Sequence, residues 1–134
     1  MKLSRRQILA GSASIAAFAA SQPRMTSAAT HDTRAWRQYV RSGRGQIHLW
    51  MAEPKDGPGD LTPLVCMHQS PTSGAYYKEF QAVMAADRLV ISPDTPGYGG
   101  SDAPTSIPTM EDYGRAVADG LENLGFGSGG KGGG

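Results

Sequence analysis

Two apolar runs, Pro63–Met67 and Arg88–Ser92, begin 25 residues apart and bracket a stretch of helical period. The first is continuously apolar instead of alternating, which suits a central strand covered on both faces. Between the runs, Tyr76, Phe80 and Val83 fall at i, i+4 and i+7, one apolar stripe of a helix. Thr72 or Ser73 is placed to cap its start. A strand that reaches a second strand through a helix lies parallel to it, with a right-handed crossover. The chain is thereby restricted to α/β architecture around a parallel sheet.

The flanking segments extend this frame. Gln38–Arg41 and Gln46–Ala52 surround Ser42-Gly43-Arg44-Gly45 and read as an antiparallel hairpin. In the second run Ile47, Leu49 and Met51 share one face, while His48 and Trp50 take the other. His48 is expected on the strand surface, not as a ligand. Glu53–Asp60 holds two prolines and two glycines and reads as a loop. After the second apolar run comes a long Pro/Gly loop, Pro93–Pro108. Thr109 and Asp112 have capping-box spacing, with Asp in place of Glu or Gln. Tyr113, Val117, Leu121 and Leu124 continue as an amphipathic helix, and Gly125 sits where a C-cap glycine belongs.

A further strand is expected next, but residues 127–134 read Gly-Ser-Gly-Gly-Lys-Gly-Gly-Gly. Glycine loses the most backbone entropy on ordering and brings no side chain to bury. The expectation is a disordered tail, or the product of a frameshift, a truncation or design. Gly125-x-x-x-x-Gly130-Lys131 approaches a phosphate-binding loop, but Gly132 replaces its Ser/Thr and no strand precedes it. Nucleotide binding is set aside on that ground.

Charge and cysteine usage narrow the function classes. Residues 1–29 carry Lys2, Arg5, Arg6 and Arg24 and no acid, leaving nine basic and twelve acidic residues in the remainder. A mildly acidic body gives no electrostatic reason to expect a nucleic-acid partner. Cys66 is the sole cysteine, so no intramolecular disulfide is available. Its apolar neighbours Leu64, Val65 and Met67 mark it as a buried structural thiol and not a nucleophile.

The first 29 residues read as an address. Ser4-Arg5-Arg6-Gln7-Ile8-Leu9 resembles the twin-arginine export motif, followed by the weakly apolar run Ile8–Ala20. That run has 13 residues, short of the ~20 a membrane-spanning helix needs. Small residues place cleavage after Ala29 or after Ala19. The expected organisation is a signal peptide over 1–29, a folded domain over 30–126 and the glycine tail over 127–134. The expected destination is the periplasm or the exterior, with Arg5 and Arg6 engaging the export machinery. The alternative is a basic, frayed N-terminus.

Two segments carry chemistry. The first is Leu64-Val65-Cys66-Met67-His68-Gln69-Ser70-Pro71-Thr72-Ser73, and the second is Pro93-Asp94-Thr95-Pro96-Gly97-Tyr98-Gly99-Gly100-Ser101-Asp102. Both lie at carboxyl ends of parallel strands, where open α/β sheets bind ligands. His-x-x-Pro after an apolar strand, followed by Asp-x-Pro-Gly-x-Gly-x-Ser, resembles the α/β-hydrolase superfamily of esterases, lipases, epoxide hydrolases and haloalkane dehalogenases. The likeness covers residues 36–126 and implies the N-terminal half of that fold: an antiparallel hairpin, then parallel strands with crossover helices, incomplete.

The resemblance also implies roles. The backbone N–H of Ser70 becomes an oxyanion-hole donor, worth ~2.7–4 kcal/mol of transition-state stabilisation, with Gln69 beside it. The family usually has Gly directly after the His, and Gln69 departs from that. Its amide is a weaker alternative contact to substrate. His68, Pro71, Pro96, Gly97 and Gly99 are structural members of the motif. Asp94 invites a triad reading, but an Asp in a turn ordinarily hydrogen-bonds backbone N–H groups two residues on, so it is read as structural. Ser101 lacks the Gly-x-Ser-x-Gly elbow and is read as loop.

The family's nucleophile elbow, acid and catalytic His all fall later than these motifs. The expected parent activity is hydrolysis of an ester-like, epoxide or carbon–halogen bond in a small molecule, without cofactor or metal. The competing expectation is a non-catalytic remnant. His68–Ser73 looks somewhat like the dehalogenase form of the loop. In either case Pro63–Met67, which in the family neighbours the nucleophile strand, is expected at an apolar sheet edge.

Overall fold

A computed structural model describes residues 32–127. The signal-peptide reading of residues 1–29 and all but the first residue of the glycine tail lie outside them. The elements are β1 (Thr33–Ser42), β2 (Gly45–Pro54), β3 (Leu64–Val65), a 3-10 turn (Gly74–Tyr77) running into α1 (Lys78–Met84), β4 (Val90–Pro93) and α2 (Met110–Asn123). They build one four-stranded mixed sheet in the order β1-β2-β4-β3.

β1 and β2 form the expected antiparallel hairpin, paired from Thr33↔Pro54 to Ser42↔Gly45 and longer than the hydrophobic runs alone suggested. β4 pairs antiparallel with β2 and parallel with β3, so the crossover joins parallel neighbours as the period change implies. All four residues of β4 are buried. It lies between two strands with a helix over each face, the setting that continuous apolar strands require.

Pro63–Met67 lies at the sheet edge, as the resemblance implied, and is not the central strand covered on both faces that its unbroken apolar run suggests. Only Leu64–Val65 is strand, half-buried at the sheet edge. The ladder runs slightly further, with the Cys66 N–H donating to the Ile91 carbonyl at 2.8 Å. Cys66 is buried, and burial pushes its thiol pKa up, which suits a packing role.

The sheet separates two apolar clusters. On one face Val40, Ile47, Leu49, Met51, Leu89 and Ile91 pack with Ala116 of α2. Gly120 brings that helix close, since a Cβ there would press on Val40. On the other face Ala52, Cys66 and Val90 pack with Ala85, just past the end of α1.

α2 matches its sequence signals. Thr109 accepts from the Asp112 N–H while the Asp112 carboxylate accepts from the Thr109 N–H, completing the capping box. Gly125 closes the end at φ +93°, a left-handed conformation in which glycine carries no Cβ penalty.

The stripe on α1 is corrected. Tyr76, Phe80 and Val83 are 67%, 46% and 57% exposed, and Gln81 is the buried residue instead. Two causes turn the helix. Residues 74–77 form a 3-10 turn, which advances 120° per residue instead of 100° and breaks the phase of an i, i+4, i+7 pattern. Gln81 then donates from Nε2 to the Trp50 carbonyl at 2.9 Å, fixing a polar residue against the sheet. Neither expected cap forms here. Ser73 occupies the N-cap position without a side-chain bond, and Thr72 Oγ1 donates to the Gln69 carbonyl.

Candidate active site at the strand carboxyl ends

The loops leaving β3 and β4 meet, and Asp94 organises the junction. Its carboxylate is buried and accepts from the Gly74 N–H at 2.6 Å, the Gly100 N–H at 2.8 Å and His48 Nδ1 at 2.8 Å. These three partners take up the carboxylate, and not the short turn expected of it. The residue two positions on is Pro96, which has no N–H to give. The carboxylate reaches across to the start of the α1 segment and forward to Gly100. A Cβ on Gly99 would collide with that carboxylate, and one on Gly74 would collide with the Ser92 carbonyl. These two glycines are required by close approach.

The segment directly after Asp94 is a tight turn. The Tyr98 N–H donates to the Thr95 carbonyl at 2.9 Å, with Pro96 and Gly97 at the centre and Gly97 at φ +84°. That is the residue pair a type II turn selects. The Asp102 carbonyl then accepts from the Gly97 N–H, and Asp102 Oδ2 accepts from the Gln46 N–H at 2.8 Å, tying the loop to the hairpin.

His48 overturns its reading as a strand-surface residue. Its side chain is 7% exposed and paired to Asp94 at 1%, with its ring against Tyr39 and Trp50. The cause is the Asp94–Ser101 loop, which folds over this face of β2 so that both faces of the strand are covered. Sequence alternation registers one face only. The signal that could have found His48 is the apolar company on its own face, Trp50 and Ala52.

Ser101 joins the same cluster, so a Ser, a His and an Asp lie together without acting as a triad. Ser101 Oγ accepts from the His48 backbone N–H at 2.9 Å and donates to the Asp94 carbonyl at 2.6 Å. Its proton is directed at a carbonyl and not at an imidazole nitrogen. A nucleophilic serine needs the reverse, a base accepting that proton.

His68 links the two loops. Its Nε2 accepts from the Thr95 N–H at 3.0 Å, so the ring proton resides on Nδ1 and faces the Gln69 carbonyl at 3.1 Å. Both ring nitrogens are occupied by backbone contacts. Gln69 and Ser70 are exposed beyond it. Ser70 Oγ donates to the Tyr98 hydroxyl at 2.8 Å, and the Ser70–Pro71 peptide is cis. Among the described residues no acceptor takes the Ser70 N–H. Tyr113 stands behind Tyr98, and removal from water together with the Tyr98 hydroxyl raises its phenol pKa.

Beside this pair of loops opens a cavity of about 530 Å³, bordered by Pro71, Ser73, Tyr76, Gly97, Tyr98 and Gly99. Its walls are the two motifs and the 3-10 turn that follows the first of them. Among the described residues no group of three or more His, Cys, Asp or Glu side chains could hold a metal ion. No helix among them is long and apolar enough to cross a membrane.

Comparison with known proteins points to one fold. No family model matches the chain. It is 39% identical over 61 residues to a haloalkane dehalogenase of Mycobacterium marinum, covering 45% of this chain and 20% of that protein. A haloalkane dehalogenase of Psychrobacter cryohalolentis is 38% identical over 52 residues, 38% of this chain and 17% of its own length. Among solved structures, the N-acyl homoserine lactonase AidH in complex with N-butanoyl homoserine superposes with a TM-score of 0.58 at 25% identity, over 67% of this chain and 32% of that one. The haloalkane dehalogenase DatA from Agrobacterium tumefaciens C58 superposes with a TM-score of 0.54 at 25% identity, over 69% and 29%. The chain thus spans a fifth or less of the curated relatives it matches and about a third of the solved structures. The described residues have the α/β-hydrolase fold over the part that begins with the antiparallel hairpin and continues into parallel strands and helices.

Proposed function

We propose that this chain is the N-terminal part of an α/β hydrolase, and that it supplies the oxyanion side of the site. The parent activity is hydrolysis of an ester-like, epoxide or carbon–halogen bond in a small molecule. One observation carries the reading: the exposed Gln69-Ser70 segment is clamped to the β4 loop through His68 and Tyr98, next in sequence to Pro71 on the border of the 530 Å³ cavity, with the Ser70 N–H unclaimed. A fixed donor of this kind stabilises developing negative charge on a substrate oxygen without reorganising during the reaction. The dehalogenase and lactonase likenesses favour small-molecule substrates.

Ser101, His48 and Asp94 are already committed to one another and supply no nucleophile. In this reading the nucleophile, the acid and the catalytic His belong to later parts of the parent enzyme, and the chain by itself is inactive. Translating the DNA beyond codon 126 in all frames tests this. A Gly-x-Ser-x-Gly elbow, or its counterpart with Asp, supports it and also sets the reaction class. Absence of any elbow in every frame refutes it and favours the non-catalytic remnant, the reading to which the exposed Tyr76–Val83 stripe lends support.

Export belongs to the same proposal. Residues 1–29 act as a twin-arginine signal, cleaved after Ala29 or Ala19, sending the protein to the periplasm or beyond. A reporter fused after residue 29 is then exported, and replacing Arg5 and Arg6 by Lys retains it in the cytoplasm. Export that is indifferent to that replacement removes the twin-arginine assignment.

A further inference from the structure

A second concavity lies away from these loops, where β1 and β2 pass under α1. It is a groove of about 300 Å³ whose apolar lining on the α1 side comes from Ala35, Trp50, Ala52 and Ala82. Small-molecule sites are typically about 300–1,000 Å³, mostly apolar, with a few placed polar groups. The polar groups here are cationic. Lys78 Nζ stands 4.3 Å from the Trp50 ring centroid and the Arg37 guanidinium 5.1 Å from it, and all three residues line the groove. No Asp or Glu lines it.

The charges are the informative part. Neighbouring Arg34, which also lies over a tryptophan, is neutralised by Glu53. Arg37 and Lys78 have no carboxylate partner among the described residues. Two like charges brought to one indole repel each other, and an anion between them relieves that repulsion. The aromatic face holds the cations in place while the apolar floor takes a hydrophobic tail.

We propose that this groove binds an organic anion with an apolar tail, its carboxylate held by Arg37 and Lys78 beside Trp50 and its tail along Ala35, Ala52 and Ala82. The occupant is not the preceding segment of the chain. Residues 1–29 carry four basic side chains and no acid, which do not complement a groove rimmed by cations. The site shares no residue with the two strand-end loops, so it stands or falls independently of the hydrolase reading.

Trp50 presents its ring to the groove, and Trp36, the other tryptophan of the chain, packs on the opposite face of the sheet, which provides the readout. In the full chain carrying Trp36→Phe, dodecanoate below its micellar range is expected to change Trp50 emission saturably. Added salt should weaken the binding. Dodecyltrimethylammonium should give no saturable response. Replacing Arg37 and Lys78 together by Gln should weaken dodecanoate binding about tenfold or more, while Arg37→Lys with Lys78→Arg retains it. Equal responses to both amphiphiles would overturn the proposal and leave a bare apolar groove. Binding indifferent to salt and to charge removal would overturn it too, as would no response at all. A ligand-free emission shift that grows with protein concentration would assign the groove to a second copy of the chain.

Discussion

Asp94 shows how much of the molecule rests on single atoms. Its buried carboxylate satisfies two backbone N–H groups and one imidazole, drawn from three segments far apart in sequence. Truncating one partner of a buried charge network leaves the others without acceptors, at a cost of about 3–5 kcal/mol. Asp94→Ala is therefore expected to lower unfolding stability by that amount in urea denaturation, against about 1 kcal/mol for Ser101→Ala. Equal small losses would show that the carboxylate does not hold the loops together. The turn that follows Asp94 was legible, because a proline and glycines build it. The partners of the Asp94 carboxylate were not, since Gly74 and His48 reach it only through the fold. His48 shows the same limit: a polar residue on the strand face opposite Ile47, Leu49 and Met51 reads as exposed until a loop from elsewhere covers it.

At the scale of elements, the two helices separate what local signals determine from what packing determines. Every signal for α2 is local: the capping pair, the spacing of Val117, Leu121 and Leu124, and the closing glycine. All of them were readable and all formed. Thr109→Ala should cost about 1 kcal/mol of stability. The Thr109 backbone N–H, ahead of every other influence, holds the Asp112 carboxyl below the usual aspartate range. A carboxylate depressed in the folded state stabilises it in full above the ordinary aspartate range, and that contribution is lost as pH falls through the lowered value. Acid titration of the unaltered chain should therefore show a loss that Asp112→Asn removes, measured as the pH dependence of the urea midpoint. The same dependence in both chains would separate the capping box from acid sensitivity. α1 depends on packing instead. Its orientation follows from a 3-10 entry and from Gln81 against the Trp50 carbonyl, features with no periodic signature. Phe80→Lys and Val83→Glu are therefore expected to change stability by no more than about 0.5 kcal/mol each. Losses of about 2 kcal/mol or more, as for core truncations, would return the stripe to the core.

At the scale of the whole molecule, the sheet order and the two strand-end loops form one arrangement. Apolar β4 at the centre brings the β3 loop beside its own, and His68, Thr95, Ser70 and Tyr98 join them. The strand–helix–strand frame and both motifs were legible because period changes and turn residues are local. The commitment of Ser101 to a backbone carbonyl was not, because only geometry distinguishes a serine near a His and an Asp from a nucleophile. The central claim is that the chain carries the oxyanion side of a hydrolase site and no nucleophile of its own. Treatment of the folded chain with a fluorophosphonate, followed by mass spectrometry of its peptides, tests this most directly. The account predicts no adduct on any serine; an adduct on Ser70 or Ser101 would contradict it.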